Sequence, residues 1–280
     1  MNFLKSILRS TAGRLLSGAL MWQPLRRRVR FELTHRYYDE FDYSVDLGCG
    51  LECPVQFWEA WASFSHIFIQ DEYERAFAVM PAPERWIDIG CYAGYFSLSL
   101  ALLRARQGMS GKGRALLIDA DSKAVGAVGK LIELNQLEQD WRMVPGAIAQ
   151  TPGTVRFAER SFMTSSLVRS DDSPEMTTEV QVITAEDILA RLSPPYDLVK
   201  IDIEGGEFDF LLAYEKVLAH TSWLLVEWHG WHPGGGGESQ IREMVGKCGF
   251  SFVIEVLAPE EAAHRTVTAR SGVHLYQKRA

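Results

Sequence analysis

Acidic residues and a histidine cluster in two short stretches of this 280-residue chain. The stretch "KIDIEGGE" carries Asp202, Glu204 and Glu207, and the stretch "LLVEWHGWH" carries Glu227 and His229. Such side chains can take a proton from a hydroxyl group, so both stretches hold candidates for a general base. His229 is the first candidate because an unperturbed imidazole titrates near neutral pH, and Asp202, Glu204 and Glu227 follow it. For Glu207, at the start of a predicted helix, a favourable interaction with the helix dipole is an equal alternative.

Two further stretches resemble each other, "VDLGCG" at 45–50 and "IDIGCYAG" at 87–94. Pro54 interrupts the pattern after the first stretch, whereas a clean helical pattern follows the second. We therefore interpret the second as a ligand-binding turn and the first as a chance likeness. Gly90 and Gly94 allow a tight turn and a close approach to a ligand, and the N-terminus of the next helix offers free N–H groups.

Short apolar runs alternate with helical patterns from Glu84 onward, which predicts a mostly parallel sheet with helices on both faces. The stretch "EFDFLLAYEKVLAH" is predicted as one helix, and the aromatic-rich region between Phe31 and Pro83 as irregular. Ligands of such sheets bind at the carboxyl ends of the strands. If the strands "YDLVKIDI" and "SWLLVEW" are neighbours, about 5 Å apart, Asp202 converges with Glu227 or His229.

The spacing of the turn distinguishes between nucleotide cofactors. A dinucleotide turn has the pattern G-x-G-x-x-G, whereas this chain has D-x-G-x-x-x-G, in which Asp88 repels a pyrophosphate and suits an ammonium group. The next strand ends at Asp119, which can accept both hydroxyls of a ribose. These features favour S-adenosylmethionine over NAD. An NAD-linked oxidoreductase stays as an alternative.

Several motifs together resemble the FkbM-type methyltransferases, a branch of the class I S-adenosylmethionine-dependent enzymes. The motifs are "WIDIGCYAGYFSLSLA", "LIDADSKAV", "LIELNQL", "MVPGAIAQTPGTVRF" and "YDLVKIDIEGGEFDFLL", preceded by the similar "FIQDEYERAF". The resemblance implies a Rossmann-like α/β fold with a seven-stranded, mostly parallel sheet. It also implies O-methylation of a hydroxyl on a sugar, a glycan or a secondary metabolite.

The resemblance further implies a set of cofactor-binding positions. Around the methionine part of the cofactor it places Asp88, Gly90, Cys91, Tyr92, Ala93 and Gly94. It places Asp119 at the ribose, with Ala120 and Asp121 on either side of the contact. It places Gly146 and Ala147 beside the adenine, and Tyr73 as a cover over the cofactor. A divalent cation, held by Asp202, Glu227 and a third donor, is an alternative that we do not favour, so no metal ligand is assigned.

The charge of the chain is unevenly distributed. The first 30 residues hold seven basic residues and no acid, which leaves 22 basic against 36 acidic residues in the rest. The chain after residue 30 is therefore a poor partner for nucleic acid, because binding to phosphates requires clustered cations. Residues 1–20 have the pattern of a basic amphipathic helix, which could pack on its own domain, lie on an anionic membrane surface or serve as an organellar transit peptide. The possibility that this helix lies on a membrane surface motivates a further alternative, a peripheral binding protein with a degenerate nucleotide pocket.

The remaining features predict a cytoplasmic protein, with peripheral membrane contact left open. No run of about 18 apolar residues is present, and the four cysteines are too scattered for a disulfide framework. We predict three regions: a basic amphipathic segment at 1–30, an N-terminal cap region at 31–82 and a methyltransferase domain at 83–280. The fold is therefore predicted to carry an N-terminal helical extension.

Overall fold

The structure, a computed structural model, describes residues 43–158, 166–167, 177–230, 237–258 and 271–279. It divides the chain into two compact units, one of residues 1–43 and 56–58, the other of residues 44–55 and 59–280. The predicted helix in residues 1–20 lies outside the described residues, so it stays a prediction, as do the three predicted regions. No helix of the described residues is long and apolar enough to cross a membrane.

The strands are β1 (Ser44–Gly48), β2 (Leu51–Pro54), β3 (Arg85–Ile89), β4 (Arg114–Asp119), β5 (Trp141–Pro145), β6 (Thr154–Ala158), β7 (Ser166–Leu167), β8 (Thr177–Gln181), β9 (Tyr196–Ile201), β10 (Thr221–His229), β11 (Phe250–Leu257) and β12 (Ser271–Lys278). The helices are α1 (Trp58–Phe64), α2 (Glu74–Val79), α3 (Tyr95–Arg106), α4 (Ser122–Leu134), α5 (Ala185–Arg191), α6 (Glu207–Ala213), α7 (Glu215–Ala219) and α8 (Glu238–Lys247). A π-helical turn, Ser65–Ile69, follows α1.

The central sheet has seven strands in the order β11-β12-β10-β9-β3-β4-β5. Strands β10, β9, β3, β4 and β5 are parallel to one another, whereas β12 runs antiparallel to both β10 and β11. This confirms the predicted Rossmann-like, mostly parallel sheet. The chain leaves β3 for β4 on one side and later returns to β9 on the other. The order therefore reverses between β3 and β9, which is where such sheets bind ligands.

The strands next to this reversal are almost continuously apolar because both faces of the sheet are covered. Ile87, Ile89, Val199 and Ile201 are all fully buried in the core. The helix α3 is buried almost all round, with nine of its twelve residues inside. The guanidinium of Arg104, buried on this helix, donates to the carbonyls of Pro83 and Ser110.

Three elements differ from the sequence predictions. The stretch predicted as one helix forms two, α6 and α7, which are separated at Tyr214. Part of the region predicted as irregular is helical, in α1 and the π-helical turn that follows it. The stretch "VDLGCG" forms β1 and the start of an antiparallel hairpin with β2. A second small antiparallel sheet, in the order β7-β6-β8, holds the two predicted shorter strands.

The close approach of the backbones after β3 and β9 can be tested by replacing Gly90 with Ala. A Cβ atom on Gly90 would lie 1.6 Å from the carbonyl oxygen of Asp202, and the residue has a φ of +72°. Gly108 is a matched control because its φ is +69° and nothing lies within 4 Å of its Cβ position. Gly108→Ala should lose about 1–2 kcal/mol for the left-handed backbone alone. Gly90→Ala should lose a further ~1–3 kcal/mol for the steric overlap, as measured by urea unfolding. Equal losses in the two variants would show that this approach is not tight.

Candidate active site

The loop between β3 and α3 contains three residues with positive φ: Gly90, Tyr92 and Gly94. The N–H of Gly90 donates to the carbonyl of Ile118 at 2.9 Å, so the loop is fixed to the end of β4. Gly94 is the N-cap of α3 and has no side chain that could accept a hydrogen bond from the first turn. The first turn of α3 therefore presents backbone N–H groups at the carboxyl edge of the sheet.

Asp119, at the end of β4, ties this loop to the next one. Its Oδ2 accepts from the N–H of Tyr92 at 2.7 Å, and its Oδ1 accepts from the N–H of Asp121 at 2.9 Å. Burial raises the pKa of Asp119 to about 6, against the opposing effect of these two hydrogen bonds. Each carboxylate oxygen keeps a second lone pair, so the group can still accept from a hydroxyl.

Asp121 has a structural task at the start of α4. Its side chain accepts from the N–H groups of Lys123 and Ala124, which makes it the N-cap of that helix. Gly146, also at this edge, is packed tightly, because a Cβ atom there would lie 2.3 Å from the side chain of Ile183. Its N–H donates to the carbonyl of Asp119, and Ala147 pairs with Val182. The structure thus brings the predicted ribose and adenine positions to one edge.

Asp88 is completely buried within β3, beneath this edge. Its Oδ2 accepts from the hydroxyl of Ser97 at 2.8 Å, while Oδ1 lies 3.6 Å from Nζ of Lys200. Burial raises the pKa of Asp88, and the Lys200 ammonium and the Ser97 hydroxyl oppose that rise. Because the carboxylate is buried, Asp88 can affect a ligand only indirectly, through the positions of the loop and of Lys200.

Lys200 is the central cation of the site, and the sequence prediction missed it. Its Nζ donates to the carbonyl of Gly90 at 3.2 Å and to Oδ2 of Asp202 at 3.1 Å. Burial alone would lower the pKa of Lys200, but the carboxylates of Asp202, Asp88 and Glu227 raise it above its ordinary value. A lysine inside the apolar run "LVKI" was the sequence signal, since a buried lysine needs carboxylate partners.

His229, at the end of β10, is held by glutamates and is only 3% exposed. Its Nδ1 lies 2.9 Å from Oε1 of Glu207, and its Nε2 lies 3.8 Å from Glu204 and 4.0 Å from Glu227. Burial would lower the pKa of His229, but the Glu207 and Glu204 carboxylates outweigh it and raise the pKa to about 10. The imidazole is therefore protonated at neutral pH.

Glu207 does more than favour a helix dipole. It is fully buried at the start of α6, and its Oε1 accepts from the N–H groups of Ile203 and Gly205 as well as contacting His229. One oxygen thus joins the loop after β9 to the end of β10. This role depends on His229, which is 22 positions away in the chain, so the spacing of residues in the sequence did not predict the contact.

Glu227 and Asp202 are the partly exposed carboxylates of the group, with side chains 20% and 26% exposed. Burial and the nearby Asp202 carboxylate raise the pKa of Glu227 well above its ordinary value. Asp202, Glu227 and His229 also lie close enough together to share a cation. These are the residues of the divalent-cation alternative, which stays a prediction that we do not favour.

Tyr73, the predicted cover over the cofactor, is buried within the electrostatic influence of this acidic group. The ring is buried, with its centroid 4.7 Å from that of Phe96 in an edge-to-face contact. Burial raises the pKa of Tyr73, and the carboxylates of Glu72, Glu227 and Asp202 raise it further. The raised pKa keeps the phenol protonated.

The histidine–glutamate contacts predict how stability depends on pH. Because the pKa of His229 is about 10 in the folded protein and about 6.5 in an unfolded chain, the folded state binds this proton more tightly. The contribution is complete below pH ~6.5 and is lost as the pH rises toward ~10, at about 1.4 kcal/mol per pH unit. His229→Gln should remove this slope in denaturant unfolding across that range. His220→Gln, at an exposed histidine, should keep it; an unchanged slope in His229→Gln would contradict the assignment.

Comparison with known proteins identifies a family for most of the chain. The family model described as the Methyltransferase FkbM domain matches residues 52–252. No curated protein sequence matches the chain significantly.

Similar solved structures include magnesium protoporphyrin IX methyltransferase from Synechocystis PCC 6803 with bound S-adenosylmethionine, at 16% identity over 93% of this chain and 99% of that chain (TM-score 0.46). A putative O-methyltransferase from Klebsiella pneumoniae is 14% identical over 96% of both chains (TM-score 0.42). A putative RNA methyltransferase from Pyrococcus horikoshii is 13% identical over 75% of this chain and 84% of that chain (TM-score 0.41). Because the family model covers well over half of the 280 residues, the chain belongs to the FkbM methyltransferase family, and its cofactor is S-adenosylmethionine.

Proposed function

We propose that the protein transfers a methyl group to a hydroxyl on a sugar, a glycan or a secondary metabolite. The observation that carries this proposal is Glu227, a partly exposed carboxylate with a raised pKa at the carboxyl edge of the sheet. A hydroxyl acceptor must lose its proton during transfer, and a carboxylate with a raised pKa is a better base than an ordinary one.

The residues at this edge fit S-adenosylmethionine better than a dinucleotide. Asp119, Asp202 and Glu227 bring negative charge, and the ammonium of Lys200 is already engaged by Asp202 and Gly90. A diphosphate would meet these carboxylates, whereas an ammonium and a ribose diol are attracted to them. When bound, the cofactor supplies an activated methyl group on its sulfonium and leaves as S-adenosylhomocysteine.

We assign the cofactor contacts to the residues that the family resemblance places there. The loop from Gly90 to Gly94 would hold the methionine part, Asp119 would accept the ribose hydroxyls, and Gly146 with Ala147 would border the adenine. Two of the predicted residues act indirectly in this assignment. Asp88 positions Lys200 beneath the loop, and Asp121 holds the start of α4.

We assign the general base to Glu227 in place of His229, the first candidate from sequence. The imidazole carries a proton at neutral pH because Glu207 and Glu204 stabilise its charged form. A protonated imidazole cannot accept another proton, but its charge can hold Glu227 and Glu204 in place. Asp202 is less suited as a base because its Oδ2 accepts from Lys200.

The acceptor class is the one that the family resemblance implies, and the charge of the chain argues against nucleic acid as the acceptor. Beyond residue 30, acidic residues outnumber basic ones by 36 to 22, so attraction to the phosphates of nucleic acid is unfavourable. A neutral hydroxylated molecule has no such penalty. The positive group nearest to the proposed base is an imidazolium already neutralised by glutamates.

The cofactor assignment predicts the effect of Asp119→Asn. This change removes a charged acceptor and should weaken binding of S-adenosylhomocysteine in calorimetry by about 10–100-fold, since a hydrogen bond to a charged group is worth about 1.5–3 kcal/mol. Asp121→Asn is the matched control, because Asn caps helices as well as Asp and should leave the affinity within about twofold. NAD should give no heat with any of these proteins. Equal affinity of Asp119→Asn and the wild type would contradict the ribose contact.

The assignment of the base predicts the effect of Glu227→Gln on turnover. Release of S-adenosylhomocysteine should be measured against a panel of hydroxylated acceptors, with and without magnesium. Glu227→Gln should lower kcat about 100-fold or more and remove the acidic limb of the pH–rate profile, because the side chain no longer accepts a proton. Its affinity for S-adenosylhomocysteine should stay within a few-fold of the wild type.

Two variants serve as controls for this experiment. Glu215→Gln, at an exposed glutamate of α7, should leave kcat unchanged. His229→Gln should lower kcat but keep the acidic limb of the profile, since Glu227 is still present. If His229→Gln instead removes the limb and Glu227→Gln keeps it, the histidine is the base.

A further inference from the structure

A second group of acidic and histidine side chains lies away from the proposed active site. Glu238 is the first residue of α8, Glu255 lies on β11 and His274 on β12. The Oε1 atoms of both glutamates lie 3.7 Å from Nε2 of His274, and the three donor atoms all lie within 4.8 Å of one another. Three separate elements thus direct one ligand atom each toward a common point.

This group lies on the face of the sheet opposite to Glu227. His274 pairs with Val226 across β10 and β12, and paired residues point to the same face. Side chains alternate along β10, so Glu227 points to the other face. Glu255 is the cross-strand neighbour of His274 on β11, which explains why these two side chains meet.

The imidazole of His274 has an unused nitrogen. The residue is 0% exposed, and its Nε2 has no hydrogen-bond partner among the residues that the structure describes. A separation of 3.7 Å from each carboxylate oxygen is too long for a hydrogen bond. Two ligands about 2.0–2.2 Å from a tetrahedral metal ion lie about 3.4 Å apart, so the spacing suits an ion between them.

The surroundings fix the orientation of these side chains. Nδ1 of His274 is 3.0 Å from the hydroxyl of Tyr276, so Nε2 is directed toward the glutamates. Arg242 donates to Oε1 of Glu238 at 2.7 Å and stacks on Phe252 with its guanidinium carbon 3.9 Å from the ring centroid. Such outer contacts are typical of metal ligands, whose orientation and basicity they set.

The charges of the group suit a cation. Two carboxylates and one guanidinium leave a net negative charge before any ion binds. The glutamate side chains are 37% exposed, which gives an ion a path from solvent.

We propose that His274, Glu238 and Glu255 bind a divalent transition-metal ion, with zinc the best match to one imidazole and two carboxylates. Mixed nitrogen and oxygen donors favour zinc over magnesium or calcium, which prefer oxygen alone. Water would complete the coordination. The ion would tie the first turn of α8 to strands β11 and β12 at the edge of the sheet.

The test is zinc binding by the full-length protein after treatment with a chelator, measured by competition with a chromophoric chelator. The wild type should bind about one equivalent, and cobalt in its place should give the visible absorption of a tetrahedral site. Glu255→Gln and His274→Gln should each weaken binding at least tenfold. Zinc should raise the Tm of the wild type but not of these two variants.

Two controls separate this site from other glutamates. Glu243→Gln, on the same helix and paired with Lys247, should bind zinc as the wild type does, and so should Glu227→Gln in the active site. If the wild type binds no zinc, if Glu255→Gln binds it equally well, or if Glu227→Gln alone loses it, the proposal is wrong. If circular dichroism shows that His274→Gln is unfolded, Glu255→Gln and Glu238→Gln decide the question.

Discussion

The buried ammonium group of Lys200 joins the two strand ends between which the cofactor is proposed to bind. It donates to the carbonyl of Gly90 after β3 and to Asp202 after β9, and it lies beside the buried carboxylate of Asp88. A buried pair that loses one partner leaves an uncompensated charge, at a cost of about 3–5 kcal/mol. The loop geometry, the position of Asp202 and the ionisation of Asp88 therefore depend on this one side chain.

Next to this ammonium, the imidazolium of His229 forms a second buried cation on the neighbouring strand. Each cation neutralises carboxylates that would otherwise repel one another: Asp88 and Asp202 for the lysine, Glu204 and Glu207 for the histidine. Glu227 is left between them with a raised pKa. The two cations thus offset the repulsion between carboxylates along this edge of the sheet.

Much of the fold could be predicted from sequence, because buried parallel strands and their helices have strong local patterns. The turn at Gly90–Gly94 and the end of β4 at Asp119 follow from such patterns. The break between α6 and α7 could not be predicted in this way, because the pattern of apolar residues continues through Tyr214. The hydroxyl of Tyr214 donates to the carbonyl of Ile183, a residue far away in the sequence. The protonation of His229 could not be predicted either, because it depends on a contact with another element. Oε1 of Glu207, on α6, lies 2.9 Å from Nδ1 of His229.

His229 and His274 show why residue type alone does not assign a role. Both are nearly or completely buried, and both face two or more glutamates. Yet the pKa of His229 is raised to about 10, and that of His274 is lowered to about 4. Glu207 makes a direct contact with His229, whereas the glutamates near His274 are 3.7 Å away and Arg242 already neutralises one of them. With no carboxylate in direct contact to offset burial, the pKa of His274 falls below its ordinary value, whereas the direct contact with Glu207 raises the pKa of His229.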